Sequence, residues 1–220
     1  MRTGDDRLSA RIAAGELAFR MQSAAPEAID LARETAATHR LYGLDRDQTR
    51  SFGTQCLIAR RLVERGVRFV QLYHGGGNVG WDTHGNNDGQ HQINALQTDQ
   101  PIAALLEDLA ARGLLDSTLV IWGGEFGRTP TSEGADGRDH NPYGFSVWLA
   151  GGGVRGGMAY GATDDFGFNA VENKVPIRDL HATILHLLGL GHEELTYLFQ
   201  GLEQKLTGVE PARVIRELLA

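Results

Sequence analysis

The chain has 220 residues, enough to bury a substantial core as one large domain or as a generous part of a bigger one. A formal net charge of -7 argues against a nucleic-acid partner, which would need a basic face, and the lone Cys56 excludes both an internal disulfide and a cysteine-built zinc cluster. No apolar run approaches the roughly 20 residues that cross a bilayer, so no membrane span is expected.

The first predicted element is helical. Residues 5–40 are rich in Ala, Glu and Arg, with apolar positions at Leu8, Ile12, Leu17 and Phe19. Pro26 is expected to split this stretch, with Ser23 near the cap of a fresh helix. A second helix is predicted from about Gln48 to Glu64, closed by Gly66. These elements place a helical segment over residues 1–66, packing on a core formed by 67–220.

VRFVQLY (67–73) reads as a strand and runs into the Gly-rich loop HGGGNVGWDTHGNN. Helical spacing returns from about His91 to Arg112, where Pro101 is expected to kink or divide the helix, and Gly113 stops it. STLVIWGG (117–124) is a continuous apolar run of the kind buried on both faces of a parallel sheet, and FSVWLAGGG (145–153) is a third strand. IRDLHATILHLLGLG forms a final helix, with Asp179 placed to cap it. The alternation predicts an α/β fold with a doubly wound, mostly parallel sheet between helices.

In such a sheet, ligands bind beyond the carboxyl ends of the strands. The first strand leads to Asp82 and His84, the second to Glu125 and then to Asp139 and His140. Asp-x-His and Asp-His in loop backbone can offer an oxygen and a nitrogen to one divalent cation. Each motif also has a plain structural reading: WDTHGNN and GRDHNP contain the Asp and Asn residues that form turns. Arg128, in GGEFGRTP, carries a planar fork suited to an anionic substrate, or alternatively pairs with Glu125 to shape the loop. Asp179 and His181 lie two apart on a helix and do not face each other, so they are structural, and His186 reads as a packed helix residue. His74 and His91 border the first loop as weaker candidates.

TLVIWGGEFGRTP, GRDHNPYGFSVWLAGGGVRGG, DLHATILHLLGLGHEELTYLFQG, WDTHGNN and QCLIARRLVERGVRFVQLYHGG together resemble a sulfatase-like bacterial family of unknown function in the alkaline phosphatase superfamily. That resemblance implies two divalent metals, often zinc, or one calcium, and hydrolysis of phosphate or sulfate esters of small molecules or glycans. It implies metal ligation by Asp82, His84 and His140, together with Glu125 and Asp139. Glu125 and Arg128 are the expected catalytic residues, with Arg128 holding the anionic oxygens of the substrate. Where the superfamily carries an Asp-His pair, this chain reads Glu125-Phe126, keeping a carboxylate and losing an imidazole. The strand that supplies the superfamily's nucleophile has no counterpart, so the chain is expected to be a C-terminal fragment. The family is exported, whereas no export signal is legible at this N-terminus. A non-catalytic binding domain that keeps the fold is the alternative expectation.

Overall fold

The computed structural model describes residues 4–75 and 80–220; positions 76–79 of the Gly-rich loop and the Ser23 side chain lie outside what is described. The chain forms two compact units: Met1–Val79 with Gln92–Leu109, and Gly80–His91 with Ala110–Ala220.

The first unit is helical. It contains α1 (Gly4–Ile29), α2 (Ala36–Leu41), α3 (Asp47–Glu64) and most of α4 (Asn87–Ala111). Phe52, Cys56 and Leu57 recur on one stripe of α3 and bury against Tyr42 and Ala104, with Leu31, Leu44, Leu72, Ile102 and Leu105 packed around them. Gly53 allows this close approach, because a Cβ there would lie 2.1 Å from the Tyr42 carbonyl oxygen. Past the end of α3, Gly66 adopts φ +81° while its amide bonds the Val63 carbonyl at 2.9 Å. Arg61 donates from Nε and Nη2 to the carbonyls of Ala28 and Glu27, at 2.7 and 2.6 Å, and so satisfies acceptors left open at the end of α1.

Neither proline divides its helix. α1 runs through Pro26, which sits in the last turn, and α4 runs through the buried Pro101. Residues 67–73, expected as the first strand, form no ladder; Phe69 and Tyr73 are exposed and only Leu72 joins the core.

The second unit overturns the expected parallel sheet. Its strands form four separate two-stranded antiparallel ladders: β1 (Val120–Trp122) with β4 (Trp148–Ala150), β2 (Gly127–Arg128) with β3 (His140–Asn141), β5 (Ala162–Thr163) with β6 (Ala170–Glu172), and β7 (Thr196–Phe199) with β8 (Leu202–Lys205). The physical reason lies in the connections. A parallel pair needs a long crossover, usually helical, whereas the segment joining β1 to β4 is itself the β2–β3 hairpin and returns the chain antiparallel. The apolar run that suggested burial on both faces is only partly covered, with Ile121, Trp122 and Trp148 exposed. The fold is therefore helices with short antiparallel hairpins.

The last helix, α5 (Ile177–Leu187), buries Ala182, Thr183 and Leu185. Asp179 does not cap it. Pro176 occupies the cap position, and the buried Asp179 carboxylate accepts the Arg213 amide at 3.2 Å, while Thr183 Oγ1 accepts the Ile215 amide at 2.9 Å. These bonds tie the C-terminal segment to α5. His181 and His186 are exposed. Among the described residues, no helix is long and apolar enough to cross a membrane.

Candidate metal centre

The site lies wholly within the second unit and begins with the local alternation of residues 82–84. Asp82 and His84 are exposed while Thr83 between them is buried, as expected where extended backbone turns successive side chains to opposite sides. Thr83 anchors the segment: its hydroxyl donates to Asn87 Oδ1 at 2.7 Å, and its carbonyl accepts the Arg138 amide at 2.9 Å. The β2–β3 hairpin supplies the other side. Arg128 and His140 are direct cross-strand partners, so both side chains leave the same face of the ladder.

Three donor atoms meet. Asp82 Oδ1, His84 Nε2 and His140 Nε2 form a nearly equilateral triangle with sides of 3.0, 3.0 and 3.2 Å. These separations are short enough that one divalent cation could be held by all three atoms together. Two imidazole nitrogens 3.2 Å apart can adjoin only if a proton or a cation lies between their lone pairs.

Charge is concentrated at the same point. Arg128 Nη2 contacts Asp82 Oδ1 at 2.6 Å, and its guanidinium also lies 5.7 Å from the centre of the Phe126 ring. The hydrogen bond from His140, together with that from Arg128, holds the Asp82 carboxyl down at about 2. Glu133 bonds His84 Nδ1 at 2.5 Å and raises the pKa of that imidazole. Phe126, standing where an imidazole was expected, packs its ring 4.2 Å from the His140 ring at a 35° tilt. Trp81, next to Asp82, contacts the rings of His91 and Trp122 edge-on.

The structure thus gathers Asp82, His84, His140 and Arg128. Asp139 lies beside them: its Oδ1 accepts the His140 amide at 2.7 Å, and a carboxylate oxygen falls within a second donor group with His84 and Glu133. Glu125 is exposed and stands outside both donor groups. His74 belongs to the first unit, bonding Gln97 at 3.0 Å and meeting Phe52 edge-on, and His91 bonds the Asn87 carbonyl. Cys56 is buried in that first unit, where burial pushes its thiol up to about 12, so it offers no thiolate.

Glu133 was not visible as a candidate. In TSEGADG it looks like an ordinary turn residue, and only the Arg128–His140 pairing brings the tip of this hairpin back over His84.

A family model described as "Protein of unknown function (DUF1501)" matches residues 1–219. No curated protein and no solved structure matches the chain. This corrects the resemblance to the sulfatase-like family of the alkaline phosphatase superfamily, since no sulfatase or alkaline phosphatase family matches and the parallel sheet of that superfamily is absent from the described residues. The motifs behind the resemblance are Gly-rich loops and helical segments, and neither kind specifies how the intervening strands pair.

Proposed function

The chain belongs to the DUF1501 family of proteins of unknown function, so its activity must be sought in its own residues, and we propose that it is a metal-dependent hydrolase of phosphate or sulfate esters. The observation that carries this reading is the convergence of Asp82 Oδ1, His84 Nε2 and His140 Nε2 on one point, beside a guanidinium.

Two imidazoles, one carboxylate and open positions form a donor set of the catalytic zinc type. Calcium, which prefers six to eight oxygens, suits two imidazoles poorly. A bound cation supplies fixed positive charge that polarises the ester and stabilises the charge developing in the transition state. The side chains of the protein do the rest. With Asp82 among the residues that would hold the cation, the Arg128 fork would be left to take two oxygens of an anionic ester, while the Arg138 carbonyl at 3.4 Å and the Phe126 ring keep it in place. Openness to solvent favours hydrolysis over oxygen chemistry at the same donor set, because reactive oxygen intermediates require water to be kept out. Asp82 retains 61% of its side-chain exposure and His84 retains 43%.

One observation favours a second reading, a non-catalytic binding domain. Asp82 Oδ1 already has three partners, in His84, His140 and Arg128, as a closed ion-pair network would provide. Elemental analysis and ester turnover separate the two. The hydrolase binds about one zinc per chain, loses it in an Asp82→Ala, His84→Ala double variant, and cleaves an aryl phosphate or aryl sulfate in a manner abolished by chelation and by His140→Ala. Equal metal content in the wild type and the double variant removes the metal site. Metal binding without turnover of either ester leaves the binding domain.

A further inference from the structure

The two candidate donor groups share His84 through its two different nitrogens: Nε2 faces Asp82 and His140, and Nδ1 faces Glu133. Two arrangements would explain this. Either a second cation bridges His84, Glu133 and Asp139, or Glu133 is a hydrogen-bond acceptor that fixes the ring for a single cation.

Distance decides between them. Glu133 Oε2 and His84 Nδ1 are 2.5 Å apart. Two ligands each about 2.1 Å from a shared zinc at that separation would subtend about 73°, well below either octahedral or tetrahedral angles. A charge-assisted hydrogen bond, the shortest kind an N–H donor makes, brings the two groups together with no third atom between them. Asp139 is also engaged elsewhere, through its bond to the His140 amide.

The backbone brings Glu133 to this position. Glu133 and Gly137 exchange both backbone bonds, at 2.9 and 3.0 Å, across a tight turn that includes Gly134 at φ +60°. The turn lies directly on the His84 segment. A Cβ on Gly137 would lie 2.1 Å from the His84 carbonyl oxygen; Asn86 donates its amide to Asp136 at 2.9 Å, and Arg138 donates its own to Thr83. Two hydrogen bonds and one close backbone approach therefore hold the turn, and with it the Glu133 carboxylate, against one nitrogen of one imidazole.

We propose that Glu133 is a positioning residue of the metal site: it accepts the Nδ1 proton of His84, fixes that tautomer, and so aims the Nε2 lone pair at the cation. Outer partners of this kind orient the ring and raise its basicity, and their loss costs roughly 10–100-fold in metal affinity. The inference rests on the proposed metal site, but its most direct consequence, the tautomer, can be read without metal.

The test uses the full chain as wild type, Glu133→Gln, Glu133→Ala and Glu133→Asp, with zinc as the probe. In metal-free protein at a pH where the imidazole is neutral, nitrogen NMR of labelled histidine reports the tautomer. Wild-type His84 is expected with its proton on Nδ1. In Glu133→Ala it relaxes towards a mixture, and Glu133→Asp restores part of the preference. Zinc titration is expected to show one ion per chain, bound roughly 10–100-fold more weakly by Glu133→Ala and Glu133→Gln, with unchanged melting in the metal-free state. An unaltered tautomer in Glu133→Ala overturns the inference. So does a second zinc in wild type that disappears from Glu133→Ala, because Glu133 would then be a ligand. If wild type binds no zinc while the tautomer still depends on Glu133, the metal-site reading fails and the positioning contact stands.

Discussion

In the unit built from Met1–Val79 and Gln92–Leu109, Arg60 keeps 2% of its side chain exposed and meets Glu34 at 2.8 Å, Glu64 at 2.5 Å and Asp108 at 3.0 Å. In the other unit, Asp82 meets as many partners while remaining open to solvent. Each is a dense charge cluster, and counting contacts would not tell them apart. What differs is where the remaining capacity of the atoms points. Around Arg60 the carboxylates also have partners from within the unit: Tyr42 donates to Asp108 at 3.0 Å and Arg61 bonds Glu34, while Arg60 Nε and Nη2 meet Asp108 and Glu34 as ion pairs without hydrogen-bond geometry. Around Asp82, two imidazole nitrogens and a carboxylate oxygen of exposed side chains lie close enough together to be candidates for holding a metal ion. A buried charge cluster is expected to act on stability, and an exposed one with clustered donors is the candidate for binding a ligand.

The largest expected effect would break the buried half of this contrast. Arg60→Ala leaves Asp108 in a desolvated setting without its cation and Glu34 with Arg61 alone, and is expected to cost about 3–5 kcal/mol in urea denaturation. A loss below about 1 kcal/mol would place Arg60 with ordinary surface pairs. Asp82→Ala tests the other half. Zinc affinity measured by calorimetry should fall by more than the roughly 100-fold ceiling typical of supporting residues, while the metal-free melting temperature stays where it was. If Asp82→Ala destabilises the metal-free protein as Arg60→Ala does, the two clusters are not different in kind.

Gly137→Ala addresses the join between the hairpin tip and the His84 segment. Its Cβ would press into the His84 carbonyl, which is backbone and cannot swing aside. The expected result is a stability loss of about 1–3 kcal/mol, as for other overpacked positions, accompanied by weakened zinc binding; unchanged zinc affinity would show that the hairpin tip is not needed to assemble the donors.

The smallest effect concerns acid. Burial pushes the Glu34 carboxyl up, but the hydrogen bonds and charges of Arg61 and Arg60 outweigh it, and the pKa lies below the ordinary 4.5. A pKa lower in the folded than in the unfolded state means that this pairing contributes its full stability above about pH 4.5 and loses it as pH falls through the folded value. Glu34→Gln should therefore lower stability at neutral pH and flatten the acid limb below that point. A parallel downward shift at all pH values would assign the effect to packing alone.

Much of the candidate site could be read along the chain, and part could not. WDTHGNN placed Asp82 and His84 two residues apart in non-helical backbone, which suffices to put both on one side with Thr83 opposite. His140 was visible as an imidazole in a second loop, but nothing local says that it returns to Asp82. That depends on its pairing with Arg128, a contact formed only when the hairpin closes. Glu133 carries no local signature at all. The sheet was misjudged for a related reason, since an apolar run shows that a strand is partly buried without indicating the direction of its neighbour.

The amino-acid sequence by itself determined the local periodic features: the apolar stripe of α3, its stop near Gly66, the helix of α5, and the alternation that exposes Asp82 and His84. Side-chain spacing and backbone preference act over a few residues and are legible there. Tertiary structure alone decided that β1 and β4 run antiparallel, that Asp179 ties down the C-terminal segment instead of capping α5, and that Glu133 meets His84. Each of these depends on which distant segments share the cost of closing a loop, and that is settled by the whole chain as it packs.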